Sequence, residues 1–234
     1  MLSIIIPTLN EEYYLSVLLR AIKEQSFKDY EIIVADNNST DKTKEIAQDF
    51  GCRITSGGLP AKGRNQGAKI AKGNLLLFLD ADVMIGKNFL ENSLKEFKKR
   101  GLDVASYTLT PKTKNIFIKN GLNFFYNWPI TISQRFLAWG AMAILVKKDI
   151  FNKIGGFDEG IKLAEDHHFV RAGAKISKFG ILASPKVYMT LRRFEKDGYL
   201  KTGIKYLFCG THMLLKGPIK SDIIKYDFDH YSKK

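Results

Sequence analysis

The sequence predicts an α/β protein with a doubly wound, mainly parallel sheet flanked by helices, followed by a basic, helical C-terminal extension. Three observations predict it. Continuous apolar runs rich in Ile and Leu, which suit strands buried on both faces, alternate four times with helical stretches up to Arg100. That alternation implies right-handed βαβ crossovers in one sheet. The chain has 234 residues, 45% hydrophobic and 26% charged, which excludes a disordered or collagen-like polymer and is enough to bury a core without staples.

Leu2 to Pro7 (LSIIIP) is the first strand; with no basic leader before it, it reads as core and not as a signal peptide. Glu11 to Gln25 follows as a helix with the stripe Leu15, Leu18, Leu19 and Ile22. Glu31 to Ala35 (EIIVA) is the second strand. Ser39 or Thr40 can cap a helix from Asp41 to Phe50, and Gly51 ends it. Cys52 to Thr55 is a short third strand. Lys62 to Lys72 is a basic helix closed by Gly73, and Leu75 to Leu79 (LLLFL) is the fourth strand. Lys87 to Arg100 is a helix with Phe89, Leu90, Leu94 and Phe97 inward. Beyond residue 102 the pattern loosens. Asp103 to Leu109 and Phe136 to Val146 read as strands, Ile116 to Trp128 as an amphipathic helix, and Glu165 to Ala174 as a helix.

Lys+Arg outnumber Asp+Glu by 37 to 24, a formal net charge of +13. Such a surface draws nucleic acid, anionic lipid or phosphorylated small molecules, and charge alone does not choose among them. From Ala183 onward 11 Lys/Arg stand against 5 Asp/Glu. Cys52 and Cys209 match no metal or redox spacing, so reduced thiols in the cytoplasm are expected. The longest uncharged stretch, Asn120 to Gln134, contains Pro129 and falls short of the ~20 apolar residues that span a bilayer.

In a doubly wound sheet, ligands sit beyond the carboxyl ends of the strands. Three polar clusters stand there: Pro7-Thr8-Leu9-Asn10-Glu11-Glu12, Asp36-Asn37-Asn38-Ser39-Thr40-Asp41 and Asp80-Ala81-Asp82. A fourth, Glu165-Asp166-His167-His168, opens a later helix. An Asp-x-Asp spacing alone says little, since Asp227-Phe228-Asp229 has it too. Context separates the two. Asp82 lies at the turn after a buried strand, where hard oxygen ligands suit Mg²⁺ or Mn²⁺ with a diphosphate completing the shell. A turn or helix-cap pair is the plain alternative. Between Phe50 and Leu79 there are five basic residues and no acidic one. Of these, Lys62 and Arg64 flank Gly63 at a helix start, which itself favours phosphate.

The series SIIIPTLNE, EIIVADNNSTDKT, KGRNQGAKIAKGNLLLFLDADV and GGFDEGIKLAEDHHFVRA resembles family 2 glycosyltransferases of the GT-A fold, over roughly residues 1 to 175. The resemblance implies a Rossmann-like GT-A domain over 1–182, with a nucleotide-sugar half at 1–100 and an acceptor half at 101–182, and 183–234 as the basic extension. It implies that Pro7, Thr8, Asn10 and Glu11 border the nucleotide, that Asp36 holds the base or ribose, and that Arg64 lies near the diphosphate, with Lys62 beside it. Asp82 is then the chief ligand of a divalent Mn or Mg ion, Asp80 a second ligand nearer the ribose, and Ala81 between them part of the donor site. Asp166 matches the catalytic base. Glu165, Trp139, Gly140, Arg192 and Arg193 fall on the acceptor side, although Trp139-Gly140 equally suits core filling. The implied reaction is inverting transfer from a nucleoside-diphosphate sugar to a glycan hydroxyl or a lipid phosphate, with no nucleic acid as partner.

A family that includes enzymes acting on lipid phosphates raises peripheral membrane contact at the cytoplasmic face. Arg192-Arg193 and the later lysines can meet an anionic headgroup, with Phe124, Phe125, Tyr126 and Trp128 dipping in beside them. Ordinary core aromatics and solvated lysines are the alternative. His212 and His230 have no local feature that marks them as metal ligands. A sugar-phosphate nucleotidyltransferase would want a Gly-rich basic loop after the first strand, where this chain has Thr-Leu-Asn-Glu-Glu. A non-catalytic nucleic-acid-binding module has no use for acidic clusters at successive strand ends, because carboxylates repel phosphate.

Overall fold

The computed structural model describes residues 1–198 together with 201, 202, 204, 208, 212 and 217. In chain order the elements are β1 (Leu2–Thr8), α1 (Glu12–Lys23), β2 (Tyr30–Asp36), α2 (Thr43–Asp49), β3 (Arg53–Ser56), α3 (Pro60–Ile70), β4 (Leu75–Leu79), β5 (Met84–Ile85) and α4 (Phe89–Lys99). There follow β6 (Val104–Pro111), α5 (Ile116–Leu122), a π-helical turn (Asn123–Asn127), α6 (Trp128–Ser133), β7 (Ala143–Lys147), α7 (Lys148–Ile154), α8 (Glu165–Ile176), β8 (Phe179–Met189) and α9 (Arg192–Asp197).

One sheet runs in the order β3-β2-β1-β4-β7-β6-β8-β5. β3, β2, β1 and β4 are parallel neighbours. β7 then enters antiparallel between β4 and β6, and β8 lies parallel to β6. The sheet is mixed, mostly parallel and flanked by helices, so the doubly wound half predicted from the first hundred residues is present and the second half departs from it. Period-two alternation divides the core into two layers. Ile4 and Ile6 of β1 pack with α1 and α4 through Leu15, Leu18, Leu19 and Phe89, whereas Ile5 faces Ala61 and Ala68 of α3. Each fully buried Ile or Leu contributes about 1.5–3 kcal/mol.

The close fit of α3 to the sheet explains its glycines. A Cβ on Gly67 would stand 2.4 Å from Ile5 Cγ2, and one on Gly63 would stand 3.0 Å from Pro7 Cβ. That approach brings the start of α3, and with it Arg64, over the carboxyl ends of β1 and β4.

Several expectations shift. α2 starts at Thr43 with Lys42 as its N-cap and no capping side chain; Thr43 N donates to Asp41 Oδ1 at 2.9 Å, and the Ser39 hydroxyl is taken by Asp36. The strand expected over 136–146 is confined to Ala143–Lys147. Its first half turns away from the sheet: Phe136 is 92% exposed, and Gly140 N donates to His167 Nδ1 at 3.1 Å. β5, α7, β8 and α9 were not anticipated. β8 continues across residue 182, so residues through Met189 belong to the sheet, not to the extension. The extension from 199 onward lies outside the described residues except at the six positions named above.

Candidate functional site

The parallel register Thr8↔Asp36 and Ile5↔Phe78 brings the ends of β1, β2 and β4 to one edge. Asp36 is buried there. Its carboxylate accepts from Thr8 Oγ1 at 3.2 Å and from Ser39 N at 3.0 Å, and it meets Lys44 Nζ at 3.4 Å. The loop after β1 is tied to the loop after β2 by hydrogen bonds in both directions. Asn10 N donates to Ser39 Oγ at 2.9 Å, Thr40 N to Asn10 Oδ1 at 2.8 Å, and Glu11 N to Thr43 Oγ1 at 2.9 Å. Asn10 takes a left-handed backbone (φ 52°), a conformation that Asn tolerates better than most residues. Pro7 is half-buried under Gly63, and Lys62 is exposed beside Gly58.

Arg64 is the centre of the second part. It is 4% exposed. Nη2 donates to Asp80 Oδ1 at 2.7 Å and Nη1 to Glu165 Oε1 at 2.5 Å. The guanidinium sits 5.2 Å from the Phe157 ring centroid, and Phe157 stacks on Phe169 at 4.1 Å. The Phe78, Phe151, Phe157 and Phe169 cluster therefore forms an apolar floor beneath a charged fork. Next to it, Asn65 pins the Gly155-Gly156-Phe157 turn: Phe157 N donates to Asn65 Oδ1 at 2.8 Å, and Asn65 Nδ2 to Phe157 O at 2.8 Å.

Burial pushes the Asp80 carboxyl up, to about 7, with the charges of Asp82 and Glu165 acting in the same direction and Arg64 against. Burial disfavours the Arg64 cation, yet Asp80, Glu165 and Asp166 outweigh it and hold the guanidinium firmly charged. Arg64 thus lies among Asp80, Glu165 and Asp166, while Asp82 stands close enough to Asp80 to push its carboxyl up. Asp80 and Asp82, at the end of β4, are the hard oxygen ligands available to a divalent cation here. Among the described residues no cluster of three His, Cys, Asp or Glu forms a cage. One or two carboxylates plus ligand phosphates is the usual arrangement for Mg²⁺, so the donor set fits an ion shared with a diphosphate.

The third part is the start of α8. A Cβ on Gly140 would stand 2.5 Å from the Asp166 carbonyl carbon and 2.6 Å from His167 N. Gly140 therefore lies flat against the backbone of the first turn. Asp166 Oδ1 accepts from His167 N at 2.8 Å, which holds the carboxylate at the helix start. Trp139 meets His167 edge-on at 5.6 Å, donates from Nε1 to Ser133 Oγ at 3.0 Å, and lies under Arg171 at 5.7 Å. Trp139 and Gly140 thus pack beside the first turn of α8, next to Asp166. Glu165, expected on the acceptor side, is instead buried against Arg64. The side chains of Arg192 and Arg193, and His230, lie outside the described residues; His212 meets Gly217 O at 3.2 Å.

The reading from sequence named Phe157 only as part of the Gly155-Gly156-Phe157-Asp158-Glu159 turn before Asp166, and missed Asn65 and Lys44, and Glu165 as the second partner of Arg64. A Gly-Gly-Phe turn is a signal for Phe157. Nothing local announces a pair whose members stand 101 residues apart.

The family model described as Glycosyl transferase family 2 matches residues 3–165. The chain is 26% identical over 217 residues to the poly(ribitol-phosphate) beta-N-acetylglucosaminyltransferase TarS of Staphylococcus aureus, covering 82% of this chain and 35% of that protein. It is 26% identical over 207 residues to the minor teichoic acid biosynthesis protein GgaB of Bacillus subtilis, covering 81% of this chain and 23% of the relative. The chain thus spans about a third or less of these relatives. In fold it matches the crystal structure of S. aureus TarS 1–349 in complex with UDP-GlcNAc, with a TM-score of 0.65 and 22% identity, over 81% of this chain and 58% of that one. It also matches the mannosyltransferase PcManGT from Pyrobaculum calidifontis in complex with GDP-Man and Mn²⁺, with a TM-score of 0.62 and 18% identity, over 80% of this chain and 56% of that one.

Proposed function

The chain belongs to glycosyl transferase family 2, and on that premise we propose that it transfers a sugar from a nucleoside-diphosphate donor to a glycan hydroxyl or a lipid-linked phosphate, with inversion at the anomeric carbon. The observation that carries this is the Arg64 fork, which ties the strand end bearing Asp80 to the helix start bearing Asp166. Two relatives named for ribitol-phosphate and teichoic acid polymers support a phosphate-rich glycan acceptor. The reaction belongs in the cytoplasm, at the inner membrane face, where nucleotide sugars and lipid carriers meet.

Each residue has a part. Asp36, already oriented by Thr8, Ser39 and Lys44, takes the base or ribose, and the Pro7 to Glu11 loop borders it. Asp80 and Asp82 hold Mn²⁺ or Mg²⁺, which when bound neutralises charge on the departing diphosphate. Arg64 is too buried to bind donor; it is a positioning residue that fixes Asp80 and Glu165 and adds a fixed positive charge near the leaving group. Lys62, exposed at the same helix start, is the mobile cation for the diphosphate. Asp166 takes the proton of an attacking hydroxyl, and a single displacement inverts the configuration. A phosphate acceptor is already ionised, so it needs that base less.

Donor turnover with a panel of nucleotide sugars tests this, read as nucleoside diphosphate released and as product anomer by NMR. Asp166→Asn keeps the oxygen that accepts from His167 N. It should lower kcat about 10²–10⁴-fold for a hydroxyl acceptor and leave donor affinity unchanged. A product that retains the donor's anomeric configuration, or an undiminished kcat in Asp166→Asn with a hydroxyl acceptor, contradicts the proposal.

A further inference from the structure

The helical segment 116–133 carries its aromatic residues outward. Phe117 is 83% exposed, Phe125 79% and Phe136, just beyond it, 92%. Phe124 and Trp128 stack at 5.9 Å with ring planes 4° apart, so the rings form a surface cluster rather than loose side chains. The inner side is fixed to the sheet by polar anchors. Asn127 pairs with both backbone groups of Leu109, accepting from N at 2.9 Å and donating to O at 2.7 Å. Gln134 Oε1 accepts from Ile181 N at 2.9 Å and Arg100 Nη2 at 3.1 Å. The π-helical turn puts one extra residue in the ladder and rotates Phe124 and Phe125 to the outer face.

Charge identifies the occupant. From Val104 to Lys148 the sequence has no Asp or Glu. A cavity of about 370 Å³ lined by Lys112, Lys114 and Lys119 lies at one end of the helical segment, and one of about 580 Å³ lined by Lys99, Arg135 and Lys178 lies at the other. A second copy of this face would bring like charges together. The chain's own residues 199–234 carry seven Lys against three Asp and suit it no better. Exposed Trp and Phe flanked by basic residues are the composition of a surface that beds into the headgroup region of an anionic bilayer.

We propose that the outer face of residues 116–136 docks on an anionic lipid bilayer. The face is wired to the site: Tyr126 Oη donates to Gly140 O at 3.4 Å, and Ser133 accepts from Trp139. Docking therefore holds the start of α8, and Asp166 with it, at the membrane surface, where a lipid-linked acceptor resides. This last step rests on the proposed function; docking itself does not.

The test is co-sedimentation with vesicles of phosphatidylcholine alone or with about one third phosphatidylglycerol, at low and high salt. Wild type should bind the anionic vesicles at least about tenfold better than the neutral ones, and less at high salt. The variant Phe117→Ser/Phe125→Ser/Phe136→Ser changes only exposed side chains and should bind about tenfold or more weakly. Lys112→Glu/Lys114→Glu/Lys119→Glu should weaken binding to the anionic vesicles and reduce its salt dependence. Calorimetric donor binding in solution should be the same in all three proteins, which separates loss of docking from loss of the donor site. Equal binding to both vesicle types, binding to neither, or an undiminished triple Ser variant overturns the proposal. So does a dimer, seen by light scattering without vesicles, that the Ser variant dissolves.

Discussion

Replacing Arg64 with Ala removes the cation that bridges Asp80 and Glu165. The Arg64 side chain is 5% exposed, that of Glu165 12% and that of Asp80 30%. Breaking a buried ion pair by deleting one partner costs about 3–5 kcal/mol, mostly because the remaining charge is left unpaired. For a domain of this size each kcal/mol lowers Tm by about 2–4 °C, so Arg64→Ala should melt about 6–20 °C below wild type. More of the penalty should pass through Glu165, the better buried partner. Adding Glu165→Gln to Arg64→Ala should therefore recover about 1–3 kcal/mol, because the amide carries no charge to strand. Arg64→Lys should fall between wild type and Ala, since an ammonium on a flexible stem cannot span both carboxylates as the planar fork does. Urea denaturation of the single and double variants measures all of this. A loss below about 1 kcal/mol in Arg64→Ala, or no recovery in the double variant, would show that the fork is not a buried charge network.

Two further predictions concern the start of α8 and the acid limit of the fold. Gly140→Ala places a methyl group where the α8 backbone already stands, so it should lower kcat for sugar transfer by tenfold or more, about 1.4 kcal/mol, while donor affinity changes little; steady-state kinetics beside donor calorimetry decides, and an unchanged kcat contradicts it. Burial pushes the Asp103 carboxyl up, but the Lys147 ammonium at 2.7 Å and the Lys178 N–H outweigh it and hold the group below its ordinary value. A depressed carboxylate lends stability that is present above its unfolded value, about 4, and is lost as pH falls through the folded one. Asp103→Asn should accordingly be less stable than wild type at pH 7 and converge with it as pH falls below the ordinary carboxylate range, read as Tm against pH; parallel curves contradict it.

How much of this was legible in the sequence depends on where each signal resides. β1, β2 and β4 are short apolar runs that end in polar clusters, and α1 and α4 have clean stripes, so elements and site edge alike could be read locally. That Asp36, Asp80 and Asp82 would stand at one edge was legible because a parallel sheet gathers its strand ends. β7 and β8 were harder. The residues before Ala143 look like strand yet bind to α8, and β8 is broken in pattern by Ser184 and Pro185, opposite the irregularity between Tyr107 and Leu109. The aromatics of 117–128 have helical spacing, but a spacing that fits a buried stripe fits an exposed one equally well. Glu165 was read as facing an acceptor because nothing in EDHH says that Arg64 arrives from a distant helix.

The most direct measurement of the central claim, a metal-dependent nucleotide-sugar site at the ends of β1, β2 and β4, is calorimetry of wild type and Asp82→Asn with nucleotide sugars in Mn²⁺, Mg²⁺ or EDTA. Wild type should bind one nucleotide class only with metal present, and Asp82→Asn should lose that binding while its melting temperature is kept. Metal-independent binding, binding that survives in Asp82→Asn, or no binding by folded wild type under any of these conditions contradicts the claim.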